Sequence, residues 1–156
     1  MAAPDAAFAH AHLDSLLAAI PLTREMRIAL RDYDGESLTL AAPLAPNVND
    51  KGCAFGGSLA SLATLAGWGL IALKLKSLDI DCEIYVQDST IRYLAPVWCE
   101  LAGTARLADG ESWDAFLAAL TARGRGRLRT FCRVPTEGGA AACTLDARFV
   151  AIRGTK

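Results

Sequence analysis

Histidine is nearly absent from this chain, which has only His10 and His12, both close to the N-terminus and expected to face solvent. With no histidine elsewhere, a Ser-His-Asp triad, a Cys-His nucleophile pair or a zinc site cannot be assembled in the interior. Cys-x-x-Cys pairs are also missing. The five cysteines, Cys53, Cys82, Cys99, Cys132 and Cys143, are scattered and odd in number. They read as reduced, mostly buried thiols in a reducing, cytoplasmic compartment. Charge is sparse: Asp, Glu, Lys and Arg make up 21% of the chain and the net charge is −1, which argues against a general nucleic-acid binder. Met1 to Thr23 holds no Lys or Arg, so the positive region of an export signal is missing. The apolar run Leu59 to Leu73 ends at Lys74, short of the ~20 residues a membrane span needs.

The apolar fraction is 53% in 156 residues, which is the composition of a core-forming globular chain. A single domain over 1–156 is expected, burying roughly two-thirds of the surface its unfolded form exposes. The most informative stretch is Asn47-Val48-Asn49-Asp50-Lys51-Gly52-Cys53-Ala54-Phe55-Gly56-Gly57, a polar glycine-rich loop running into the apolar segment Ser58 to Leu75. A glycine pair at a helix start lets another group approach the backbone, because no Cβ stands in the way. The first helical turn also presents unpaired N–H donors and the positive end of the helix dipole, which suits an oxygen that is becoming an anion.

Around that helix the pattern alternates strands with shorter helices. Asp5 to Ala19 predicts a helix with Phe8, Leu13, Leu16, Leu17 and Ile20 near one face, stopped by Pro21. Met26, Ile28 and Leu30 alternate with polar neighbours as a half-buried strand, and Asp34-Gly35 predicts a hairpin into Leu38, Leu40 and Ala42. Pro43 and Pro46 then break the sheet. Cys82 to Ala95 reads as a strand whose apolar phase slips, either from a bulge near Asp88 and Ser89 or from burial on both faces. Val97 to Leu107, Arg125 to Val134 and Ala141 to Ile152 complete six strands. Trp113, Phe116, Leu117 and Leu120 recur at helical spacing before Gly124. The result is an α+β domain in which an antiparallel sheet wraps one long apolar helix.

Several groups admit a functional or a structural reading. Asn47, Asn49 and Asp50 offer hydrogen bonds beside the Gly56-Gly57 amides, or merely form local turns. Ser61 and Thr64 share a helix face with the glycine pair and either hold a water over a substrate or bond their own i−4 carbonyls. Arg123, Arg125, Arg127, Arg129 and Arg133 have one parity, which makes them a phosphate-binding strip or a solvated or edge-protecting face. Asp88 is a buried acid needing partners or part of an exposed bulge.

These motifs resemble the hotdog-fold thioesterases, and within them the YiiD C-terminal type. The likeness rests on Asn47-x-Asn49-Asp50-Lys51-Gly52, Phe55-Gly56-Gly57-Ser58, Ala66-Gly67-Trp68-Gly69 and Asp88-Ser89-x-Ile91-Arg92-Tyr93-Leu94-x-Pro96, and it covers nearly all of Pro21 to Ile152. It implies a six-stranded hotdog sheet dimerised through a strand edge, with an acyl thioester site at the subunit interface. It also implies that the Gly56 or Gly57 N–H polarises the thioester carbonyl and that Asn49 places substrate or water. In the phenylacetate-degradation branch of these enzymes a histidine precedes the glycine pair and an acid lies two turns later. Those positions are Phe55 and Thr64 here, which leaves Asp50, Asp88 or a water held by Thr64 for the base role.

The function implied is hydrolysis of acyl-CoA or acyl-carrier-protein thioesters, with a non-catalytic thioester-binding module as the alternative. Asn49, Asp50, Gly56, Gly57 and Thr64 are the candidate catalytic groups. Asn47, Phe55, Ser58, Ser61, Asp88, Arg127 and Arg129 are the candidate substrate contacts. No metal and no cofactor beyond the coenzyme A moiety of the substrate is expected. Neither a nucleic-acid nor a membrane partner is expected, and the assembly is expected to be a homodimer or a dimer of dimers.

Overall fold

The computed structural model describes residues 5–154, and the remaining ends of the expected 1–156 domain lie outside the described residues. Helix α1 runs Ala6–Ala18, with the Asp5 carboxylate accepting from the Ala7 N–H at its start. Pro21 opens a second helix instead of only ending the first: α2 is Pro21–Met26. This corrects the expected strand at Met26. The fixed φ of proline suits the first turn of a helix, and three alternating residues are too few to separate a helix end from a strand. Arg27, in the left-handed region at φ 56°, ends α2.

Strands β1 (Ala29–Tyr33) and β2 (Ser37–Ala42) form the hairpin around Asp34-Gly35, where Gly35 has φ 92° and Asp34 Oδ1 accepts from the Glu36 and Ser37 N–H groups. A short 3-10 turn, Ala45–Asn47, leads into the loop before α3, Gly56–Ser77. The chain continues through β3 (Cys82–Tyr93), β4 (Leu101–Leu107), α4 (Trp113–Arg123), β5 (Arg125–Pro135) and β6 (Ala141–Arg153). The strand expected from Val97 begins only at Leu101. Val97 is buried for a different reason: its carbonyl accepts the Ala54 N–H at 2.8 Å and anchors the loop in front of α3.

The six strands form one antiparallel sheet in the order β1-β2-β4-β5-β6-β3. Its concave face wraps α3, as the apolar character of that helix requires. Gly67 allows the closest approach: a Cβ there would stand 2.4 Å from Thr130 Oγ1 and 3.0 Å from the Phe149 ring. On another side Gly69 receives Leu13 of α1. At 22 residues α3 is longer than the sequence predicts and is long and apolar enough to cross a membrane, yet 67% of its most apolar window is buried inside the fold.

Two features of this sheet position the site. β3 is an end strand with one unpaired edge and no fully buried residue, and of the two causes open for its phase slip it shows the bulge, a register shift between Val86 and Asp88 against β6. The sheet and α1 leave a stripe of α3 only half-buried: Gly57, Ser61, Thr64, Leu65, Trp68 and Ala72.

Candidate active site

The loop before α3 is a small hydrogen-bonded hook. Val48 and Ala54 form an antiparallel bridge, the Asn49 N–H donates to the Cys53 carbonyl at 2.8 Å, and Gly52 turns at φ 90°. The Phe55 N–H donates to the Asn47 carbonyl at 2.7 Å, which aims the chain into the helix. Phe55 is the N-cap residue and offers no side-chain acceptor. Among the described residues no partner receives the Gly56 or Gly57 N–H. The first acceptor inside the helix, the Phe55 carbonyl, is taken by Leu59 N–H at 3.1 Å. Two amides at the positive end of a 22-residue helix are therefore left for an outside oxygen.

The surroundings of these amides are aromatic. The Phe55 ring lies over Gly57, where a Cβ would meet its Cε1 at 2.3 Å. Tyr93, the last residue of β3, lies over Gly56 and donates its hydroxyl to the Gly56 carbonyl at 3.1 Å. Burial raises the Tyr93 pKa, with the Cys143 thiol adding to the rise, so the hydroxyl keeps its proton at neutral pH. Val48, Phe55, Tyr93, Leu94 and Trp98 form an exposed apolar rim, each 45–58% accessible. Sequence reasoning gave Tyr93 and Trp98 no role in the site. The only signal was their place in a polar-to-apolar strand end and the loop after it.

The structure places the sequence candidates in three groups. Gly56, Gly57, Phe55, Ser61 and Thr64 share the open end and half-buried stripe of α3. Ser61 bonds its own helix, Oγ to the Gly57 carbonyl at 2.8 Å, whereas the Thr64 hydroxyl makes no hydrogen bond among the described residues. Ser58 points inward and is buried.

Asn47, Asn49 and Asp50 belong to the loop, and each has an internal task. Asn47 is buried and its Nδ2 binds the Met26 carbonyl at 2.9 Å and the Pro43 carbonyl at 2.8 Å, so it staples the loop and does not face a substrate. Asn49 accepts from the Lys51 N–H and donates to Cys53 Sγ at 3.2 Å. Asp50 is exposed and paired with Lys51.

Asp88, Arg127 and Arg129 lie on the opposite, convex face of the sheet. Asp88 is not buried: it is exposed and faces Arg148 at 3.6 Å. Arg129 makes a forked pair with Asp146, at 2.8 Å to Oδ1 and 2.7 Å to Oδ2. Asp88 is five register positions from Tyr93 along β3, about 17 Å. These residues are thus separated from the glycine pair of their own chain. His12, expected in solvent, is half-buried: it donates Nδ1–H to the Phe8 carbonyl at 2.9 Å and stacks on the Phe8 ring.

The larger clefts lie away from the glycine pair. One of about 570 Å³ runs between α1, the C-terminal half of α3 and the start of β3; its walls include Leu16, Trp68, Ala72, Ile80 and Ile84 together with His12, Asp81 and Glu83. Another of about 710 Å³ lies where α4, β5 and β6 meet.

Residues 11–153 match the family model described as "Putative thioesterase (yiiD_Cterm)". The chain belongs to this family. A crystal structure described as a putative thioesterase from Shewanella oneidensis is 28% identical, with 92% of this chain and 97% of that one covered at a TM-score of 0.81. A protein of unknown function from Chlorobaculum tepidum is 26% identical over 93% of this chain and 94% of its own, at a TM-score of 0.88. The E. coli PaaI protein from the phenylacetic acid degradation operon shares the fold at 15% identity and a TM-score of 0.70, with 95% and 96% covered. The family and these neighbours identify the sheet around α3 as the hotdog fold, as the resemblance implied.

Proposed function

We propose that the protein hydrolyses acyl thioesters, with the thioester carbonyl bound at the Gly56 and Gly57 amides. The observation that carries this reading is the pair of N–H groups without an internal acceptor at the start of α3. Water attacks the carbonyl carbon, and the tetrahedral oxyanion that forms sits on donors already oriented for it. Collapse expels the thiolate, giving a carboxylic acid and a free thiol. Thr64, on the same half-buried stripe, orients the water.

Among the described residues of one chain, the Gly56 and Gly57 amide donors have no cleft beside them to enclose a substrate. A second copy supplies one if two β3 edges pair antiparallel about the middle of the strand. One protomer's Tyr93 and Gly56 then stand beside the other's Cys82 end, where the 570 Å³ cleft offers apolar walls for an acyl chain and Asp81, Glu83 and His12 as proton acceptors. The unpaired edge of β3, a strand with no fully buried residue, supports this pairing. The protein is then a homodimer whose two sites are each shared.

The alternative is a thioester-binding module without turnover. It is favoured by Thr64, which cannot accept a proton at neutral pH, and by the pairing of Asp50, the acid of the loop before α3, with Lys51. Thiol release over a series of acyl-CoA chain lengths decides between them. Hydrolysis by the wild type that falls at least ~10²-fold when the responsible acceptor is removed, in Asp81→Asn or Glu83→Gln, supports the enzyme. Measurable affinity with no thiol release at any chain length supports the binding module.

A further inference from the structure

We propose that the cleft between α4, β5 and β6 binds the phosphorylated nucleotide end of coenzyme A, a proposal that rests on the thioester reading above and selects the carrier. The cleft, about 710 Å³, is lined by Arg123, Arg125, Arg127 and Arg153, and no acidic residue is among its walls. Three elements converge to build it. Arg123 is the last residue of α4, Gly124 turns the chain in the left-handed region at φ 66°, and β5 begins at Arg125. The Arg153 N–H donates to the Gly124 carbonyl at 2.9 Å and fixes the end of β6 there. Gly126 faces inward between Arg125 and Arg127, where a Cβ would meet Phe116 at 2.9–3.0 Å, so α4 packs closely on the inner face of β5 while the two arginines stay on its exposed face.

Four arginines outside the cleft are paired, Arg31 with Glu100, Arg106 with Asp109, Arg129 with Asp146 and Arg148 with Asp88, whereas Arg24, Arg27, Arg92 and Arg133 have no carboxylate partner among the described residues. Among the described residues none of the four in the cleft has a carboxylate partner, and Arg127 bonds only the neutral Gln87, Nε to Oε1 at 3.2 Å. The negative end of α4 accounts for Arg123 alone. Edge protection does not account for Arg125 and Arg127, because β5 lies inside the sheet between β4 and β6. Four like charges gathered without a counter-charge repel one another unless an anion joins them. Guanidinium groups match phosphate oxygens in forked geometry, and four around one cleft suit several phosphates on one molecule.

The position fits the carrier of a thioester held in the partner subunit. Arg125 pairs with Ile152, which pairs with Glu83 near the start of β3. Tyr93 and the glycine pair of the same chain lie ten residues farther along β3, about 33 Å away. Antiparallel pairing of two β3 edges brings the partner's glycine pair to the Glu83 end, two strands from Arg125. One protomer's arginines then hold the nucleotide while its partner's amides hold the acyl carbonyl.

Free coenzyme A, titrated calorimetrically into the wild type, tests this without any turnover. Binding is expected, at least tenfold weaker in Arg125→Glu/Arg153→Glu and in the milder Arg125→Gln/Arg153→Gln pair, and unchanged in the remote Arg24→Glu; dephospho-coenzyme A is expected to bind less tightly than coenzyme A. A melting curve for each variant guards against misfolding. Equal affinity in the wild type and both double variants, or no binding to the wild type, overturns the proposal. Binding lost with the arginines while no acyl-CoA is hydrolysed sustains this site and removes the hydrolase reading. Hydrolysis with unchanged KM in the double variants removes this site and leaves the hydrolase.

Discussion

The Tyr93 hydroxyl donates to the Gly56 carbonyl at 3.1 Å, across 37 residues of sequence. That carbonyl and the Gly57 N–H belong to one peptide plane. A donor on its oxygen fixes the plane and polarises it, which strengthens the N–H on the far side. Tyr93 is therefore a positioning residue for the Gly57 amide. Replacement by Phe removes one neutral hydrogen bond, worth about 1 kcal/mol, and is expected to lower kcat about fivefold with KM unchanged. The Gly57 amide proton should also move upfield in the NMR spectrum. An unmoved Gly57 resonance with wild-type kcat would show that the contact orients nothing.

Gly67 is where α3 touches the sheet most closely. A methyl group at this position meets the buried Thr130 hydroxyl and the Phe149 ring, and neither is the free end of a flexible side chain. Gly67→Ala is expected to destabilise by ~1–3 kcal/mol through overpacking. At about 2–4 °C per kcal/mol for a domain of this size, its melting temperature should fall by several degrees. Thr130→Ala in the same chain should restore part of the loss, because the two residues share one contact. Additive losses in the double variant would place the strain elsewhere.

Burial pushes the Cys132 thiol from 9.0 up to about 12, and burial with the nearby Glu36 and Asp34 carboxylates pushes Tyr33 from 10.0 up to about 12. Both groups stay protonated in the folded chain at pH values where the unfolded chain ionises them. Below the unfolded pKa the two states bind equal numbers of protons, and above it the unfolded state is favoured. Stability contributed by these groups is thus full below about pH 9 and is lost as the pH rises toward about 12. Urea midpoints measured across that range should fall. In Cys132→Ala they should start lower, from the cavity, but fall less steeply. An equal slope in both proteins would rule out the Cys132 contribution.

The elements of the fold were legible because each has a local cause. Gly124 ends α4, and Asp34-Gly35 closes the first hairpin. The phase slip in β3 left a bulge or burial on both faces open, and the register against β6 shows the bulge, between Val86 and Asp88. Met26 was misread because the alternation at that point was too short to exclude a helix end. The glycine pair was legible as well, since free N–H groups follow from any helix start. Arg127 and Arg129 were not separable in the sequence. They have the same parity, yet Asp146 on the neighbouring strand occupies Arg129, while Arg127 turns toward the open cleft. Asn47, Asn49 and Asp50 likewise read as one polar group, and only the folded loop gives each its internal partner.

Periodicity, turn residues and the Gly56-Gly57 step, all of them interactions over a few residues, determined from the sequence alone that an antiparallel sheet would enclose one helix with an open amino end. Which side chains stand around that end, and which of the arginines keep an unneutralised charge, depended on contacts between residues far apart in the chain. Tyr93 reaches Gly56 and Arg153 reaches Gly124 only because strand register and the curl of the sheet bring them together. Register arises from the packing of the whole core, so no local stretch of sequence encodes it.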